Sequence, residues 1–123
     1  MPSINWAFLC NNAYVDGAGR PCLTGMFEDL NVGGLPVNQP QMFVGLQVTM
    51  AGGESYRVRL EVSSPSGVVL STNNTSLTAL PSGGRTFLPF EISNIMFSET
   101  GEHQIRILFD GIPIYSLSFA VRI

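Results

Sequence analysis

His103-Gln104-Ile105-Arg106-Ile107-Leu108-Phe109-Asp110-Gly111-Ile112, running on to Ile123, decides the fold. Ile105, Ile107 and Phe109 alternate with Gln104 and Arg106, the period-two pattern of a strand buried on one face. Asp110-Gly111 follows as a hairpin turn, because both residue types tolerate positive φ. A plain two-residue turn would set Ile105 opposite Ser116 and Phe109 opposite Ile112. The apolar residues of the returning strand, however, are Tyr115, Leu117, Phe119, Val121 and Ile123. Their parity differs from that of Ile112 and Ile114, so one extra residue must enter between Phe109 and Leu117. A three-residue loop with Gly111 in the left-handed conformation supplies it, and so does a bulge near Tyr115. Either geometry places Ile105 opposite Leu117 and His103 near Phe119.

The same punctuation recurs along the chain. Ile4 to Val15 reads as a strand with Trp6, Phe8 and Cys10 on one face and Trp6 in the core. Asp16-Gly17-Ala18-Gly19 turns it into a second strand, Arg20 to Phe27. Asn31 to Gln41, with its glycines and prolines, reads as a crossover loop. Met42, Val44, Leu46, Val48 and Met50 alternate in a third strand, and Ala51-Gly52-Gly53-Glu54 is the next turn. Tyr56, Val58, Leu60 and Val62 then face in, while Arg57, Arg59 and Glu61 face out. Ser64-Pro65-Ser66-Gly67 turns into a short strand from Val68 to Ser71. The polar run Ser71 to Ser76 and Pro81-Ser82-Gly83-Gly84 bracket a mobile connection. Pro89 marks the strand from Phe87 to Ile95 as an edge or bulged strand. The pattern predicts an all-β fold: an immunoglobulin-like antiparallel β-sandwich of about seven to nine strands, as one domain over residues 1–123.

A chain of 123 residues buries roughly 65% of its unfolded surface, enough for a core without staples. Its charge content is low and its apolar content high, which points to apolar surface covered by another copy or a partner. The six basic residues are all arginine and the net charge is −3, so no nucleic-acid footprint is expected. No membrane span or signal peptide is read from the sequence, and a cytoplasmic location is the expectation. A reducing compartment would leave Cys10 and Cys22 as free thiols, although they lie on two arms of one hairpin and a bridge is conceivable.

Chemistry-bearing patterns are sparse. His103 is the single histidine and reads as a surface residue at the start of a strand. Cys10 lies in an apolar strand and reads as an inert thiol. Asp16, Glu28, Asp29, Glu99, Glu102 and Asp110 are scattered turn acids without the density of a calcium loop. Gly83-Gly84-Arg85 lacks the helix and Lys-Ser/Thr of a phosphate loop. Asn73-Asn74-Thr75-Ser76 holds overlapping glycosylation sequons, which matter only on secretion. No catalytic group, metal or cofactor is expected.

Leu9-Cys10-Asn11-Asn12-Ala13-Tyr14-Val15-Asp16, together with Gly19-Arg20-Pro21-Cys22-Leu23-Thr24-Gly25-Met26-Phe27, resembles the opening of a bacterial family of small single-domain proteins classed as a domain of unknown function. Leu35-Pro36 and the closing Asp110-Gly111 hairpin resemble the same family. The resemblance implies a bacterial, cytoplasmic β-sandwich and carries over no catalytic residue. The expected function is a non-enzymatic interaction or structural module that self-associates or binds a protein partner. Its contact surface is expected around Phe43, Gly45, Arg57 and Arg59, with a merely solvated sheet face as the plain alternative for the arginines. The alternative is a small-ligand or carbohydrate-binding sandwich using end loops, which requires an exposed aromatic platform. If the chain were an enzyme, Asp16, His103 and Cys10 would be the groups to replace.

Overall fold

Strands β9 (Gly101–Phe109) and β10 (Ile112–Arg122) form the closing hairpin in the structure, a computed structural model that describes residues 2–67, 69–72 and 74–123. Asp110 and Gly111 take φ of 51° and 81°, so the turn is the two-residue kind whose twist suits a hairpin. Phe109 pairs with Ile112, the register shifts between Pro113 and Tyr115, and Ile105 then meets Leu117 while His103 meets Phe119. The extra residue therefore enters as a bulge rather than in the turn.

His103 shares the parity of Ile105 and Ile107 and points inward. It is 2% exposed, which corrects the expectation of a surface histidine. Phe97 meets its ring edge-on at 5.3 Å and Phe119 lies at 5.4 Å. Its Nδ1 lies 3.0 Å from the Gly101 carbonyl oxygen. The preceding turn suggests exposure, but the strand has already begun at Gly101, so alternation governs this residue.

The other strands are β1 (Ser3–Val15), β2 (Pro21–Met26), β3 (Asp29–Asn31), β4 (Val37–Met50), β5 (Ser55–Ser63), β6 (Val69–Ser71), β7 (Thr75–Thr78) and β8 (Gly84–Phe97). One sheet has the order β2-β1-β4-β8. The second runs β3-β10-β9-β5-β6, with β7 also paired to β5. The chain changes sheets on either side of β3, from β4 to β5, from β7 to β8 and from β8 to β9. With β4 beside β8 and β5-β9-β10 opposite, this is the Greek-key arrangement of an immunoglobulin-like sandwich.

Ten strands occur among the described residues rather than seven to nine. The additional short ones, β3 and β7, lack alternation because each borrows its order from a neighbour, β10 or β5. For the same reason β4 starts at Val37, inside the segment read as a loop. The expected mobile connection also contains β7. Val68, the expected start of β6, and Asn73 of the sequons lie outside the described residues.

The core lies between the sheets. β4 contributes Met42, Val44, Leu46, Val48 and Met50, and β8 contributes Phe90, Ile92, Ile95 and Phe97. Val58, Leu60, Ile105, Ile107, Phe109, Phe119 and Val121 face them. Ile92 and Ile95 are three residues apart yet both point inward, because Asn94 takes φ of 54° and resets the alternation. Pro89 sits as predicted on an edge strand, since β8 ends its sheet.

Candidate interaction face

β1 contains a bulge between Ile4 and Trp6. After it, Ala7 and Leu9 are buried at 8% and 4% exposure and belong to the core, so Trp6 and Phe8 must point the other way. Trp6 is half-buried on the outer side of the four-stranded sheet, which corrects its expected place in the core. Alternation shows that two faces differ; it does not show which one another sheet will cover.

Cross-strand rows build this outer face. Trp6 stands in line with Gln47 and Phe87, Phe8 with Gly45 and Pro89, and Cys10 with Phe43 and Glu91. The Trp6 ring stacks on Phe8 at 5.8 Å and lies 5.9 Å from Phe87. Gly45 is required beneath them. A Cβ there would stand 2.2 Å from Cδ2 of Leu23 and 3.4 Å from Cε1 of Phe87, so Leu23 fills the space above the bare backbone. At one end the Asn5 amide donates to Gln47 Oε1 at 3.1 Å and Thr49 Oγ1 at 2.8 Å. On β8 the charges flank the apolar pair Phe87 and Pro89: Arg85 opposite Thr49 near the start of the strand and Glu91 opposite Phe43 near its middle. Glu91 accepts from the Gln41 amide and from Ser93 Oγ. Arg85 has no ion-pair partner among the described residues.

The residues expected to form one surface are divided between two. Phe43 and Gly45 lie on this apolar face, whereas Arg57 and Arg59 lie on the outer face of the other sheet. The chain between them crosses from one sheet to the other after Met50. Arg57 is tied through its backbone, its N–H donating to Asp110 Oδ1 at 2.8 Å and its carbonyl accepting from Asp110 at 2.8 Å. Arg59 lies 3.0 Å from Glu61, and Arg106 also pairs with Glu61. The face sequence reasoning missed is thus Trp6, Phe8, Leu23, Phe87 and Pro89. Their signal was the small partners at alternate positions, Ala7 in β1 and Gly45 in β4.

Glu61 is held below its ordinary carboxylate value of 4.5 by Arg106 first and Arg59 second, with burial opposing. A depressed folded value means that its contribution is complete above the unfolded value and is lost as pH falls through the folded one. Acidification from about pH 7 to about pH 3 is therefore expected to destabilise the protein, and less so in Glu61→Gln, as followed by urea unfolding. Equal acid losses in the two proteins would exclude Glu61 from the effect. Asp16, Glu54 and Glu99 are lowered as well, so the substitution removes only part of it.

The three groups an enzyme reading would use are not brought together. Asp16 closes the β1–β2 turn, its Oδ1 accepting from Ala18 and Arg20 N–H groups at 2.9 Å. Cys10 is buried in β1 with its thiol 3.7 Å from the Phe43 carbonyl, and burial pushes the thiol pKa up. His103 lies in the opposite sheet. Cys10 pairs with Met26 and Cys22 with Tyr14, a stagger of about 13 Å along the hairpin, twice what a disulfide spans. Both thiols are free. Among the described residues no three His, Cys, Asp or Glu side chains converge on a metal-sized site. No helix there is long and apolar enough to cross a membrane.

Fold and surface together define an immunoglobulin-like sandwich with one charged and one apolar outer face. The chain belongs to DUF6941, a family of unknown function, whose pattern matches residues 5–122. No curated protein matches it. Among solved structures, the alkylpurine DNA glycosylase AlkC from Pseudomonas fluorescens, bound to DNA containing an abasic site analog, superposes with a TM-score of 0.66 at 11% identity over 99% of this chain. A beta-glucosidase from Listeria innocua, in complex with glucose, gives 0.57 at 11% identity over 77%. The chain spans 30% and 15% of those two proteins. An immunoglobulin-like protein from Pseudomonas aeruginosa gives 0.43 at 11% identity, covering 99% of this chain and 97% of that one. The likeness to the first two is one of fold.

Proposed function

We propose that the chain is a non-enzymatic protein-interaction module whose contact surface is the outer face of the four-stranded sheet, centred on Trp6, Phe8, Phe43 and Phe87. The observation that carries this reading is an aromatic surface spread across three adjacent strands, with Phe8 44% exposed and charges confined to its two ends. Aromatic enrichment with charge depletion marks the centre of protein contacts. The opposite face instead carries charged rows, with Arg59 and Arg106 both paired to Glu61. A net charge of −3 disfavours a phosphate-backbone partner.

Phe8→Glu is expected to keep the fold while abolishing association measured by sedimentation, and Arg57→Glu on the other face to leave association unchanged. The reverse result would move the contact surface to the six-stranded sheet. A carbohydrate reading draws on Trp6, Phe8 and Phe87 of the same surface beside Asn5, Gln47 and Thr49, placed on a sheet face rather than on end loops. It ranks second because the Asn5 amide is already hydrogen-bonded to both neighbours. Trp6 is the single tryptophan, so its emission reports on this face. A saturable emission change on adding soluble oligosaccharides, at constant oligomeric state, would favour the sugar.

A further inference from the structure

We infer that the occupant of this face is a second copy of the chain, stacked sheet on sheet about a two-fold axis that runs across the strands. The inference rests on the reading of that face as the contact surface. Its basis is the order of outward side chains along β8: Arg85, Phe87, Pro89, Glu91. Opposite charges flank the apolar pair, and the row continues past Glu91 only to the uncharged Ser93 before Asn94 resets the alternation. Five residues lie between the charges, a separation of about 20 Å along a strand.

A symmetric dimer must match a surface to itself. For two stacked sheets, an axis along the strands would set the Arg85 ends together and the Glu91 ends together. An axis across the strands reverses strand direction and lays β8 over β8 of the second copy. Each Arg85 then meets the other copy's Glu91, Phe87 covers Pro89, and the Trp6 row covers the Phe8 row. Opposite charges at both rims favour this arrangement and penalise the other. The outward rows of the three strands carry no third charge, and Arg85 has no ion-pair partner within the described residues of its own chain. Four strands at ~4.8 Å spacing and a ~20 Å length make a small face. A face of that size fits a weak, reversible dimer rather than an obligate one.

Sedimentation equilibrium over a concentration series of the full chain tests this with Phe8→Glu, Arg85→Glu, Glu91→Arg and the Arg85→Glu/Glu91→Arg double swap. Each single reversal breaks two symmetry-related pairs and is expected to weaken the dimer roughly tenfold, whereas the double swap restores Kd to within about threefold. The single-reversal effects should shrink in high salt. A chain that stays monomeric at every concentration overturns the second copy as occupant. A dimer that survives Phe8→Glu overturns the reading of the face itself. A dimer lost in Phe8→Glu but indifferent to both single reversals overturns the proposed stacking. Circular dichroism of each variant separates lost association from lost fold.

Discussion

Phe119→Ala is expected to cost about 4 kcal/mol of folding free energy and about 15 °C in melting temperature. Phe119 is 1% exposed and packs at 5.8 Å against Phe97 and 5.4 Å against His103. It fills the space between the sheets, so its removal leaves a void lined by side chains from both layers. Neither layer is free to collapse, because Phe97 belongs to the continuous β4–β8 ladder and His103 is held at its Nδ1. The loss is a large fraction of a marginal stability of ~5–15 kcal/mol. Urea unfolding of the two proteins measures it. A cost below about 2 kcal/mol would mean that His103 and Phe97 close the void. The contrast with Phe8 on the other side of the sandwich is instructive: the same residue type, with its ring partly in water, is expected to matter for association rather than folding.

Gly52→Ala is expected to cost about 3 kcal/mol, far more than a turn glycine usually does. A Cβ on Gly52 would stand 2.1 Å from the Pro81 carbonyl oxygen, and the neighbouring atoms are backbone that no rotamer change moves aside. The β4–β5 turn and the segment before β8 are locked backbone to backbone. Gly53 N–H donates to the Leu80 carbonyl at 3.2 Å, and Ala79 N–H donates to that of Glu54 at 2.8 Å. Gly53 supplies the internal comparison. Its φ is +75° with nothing within 4 Å of a Cβ, so Gly53→Ala carries only the left-handed penalty of about 1 kcal/mol. Thermal melts of the two variants decide the matter; equal shifts would show that the close approach at Pro81 relaxes at no cost. The expected mobile connection is, at Pro81 to Gly83, one half of a backbone clasp. Gly and Ser content suggests looseness, but glycine here permits contact.

The candidate face was partly visible and partly not. Phe43 and Gly45 were picked out correctly as neighbours on one side of β4. Arg57 and Arg59 follow closely in sequence and share the outward parity of their own strand, which makes them look like part of the same surface. Nothing local reveals that the chain changes sheets between Met50 and Ser55. Trp6 reads as core from sequence, as large aromatic residues often are. On β1 the smaller Ala7 and Leu9, two positions on, face inward instead.

By itself the sequence determined what depends on neighbours along the chain. Alternation set the two faces of each long strand, and the Asp110-Gly111 turn with the parity mismatch after it fixed Ile105 against Leu117 and His103 against Phe119. Pro89 marked an edge or bulged strand, and β8 is an edge. Tertiary structure alone decided that the extra residue is a bulge after Pro113, that Asn94 resets β8, that β3 and β7 exist as strands, and that Trp6 faces outward. Alternation is a local property of the backbone, whereas burial is a property of whichever remote strand or sheet arrives to cover a face. That covering is set by pairings between residues dozens of positions apart.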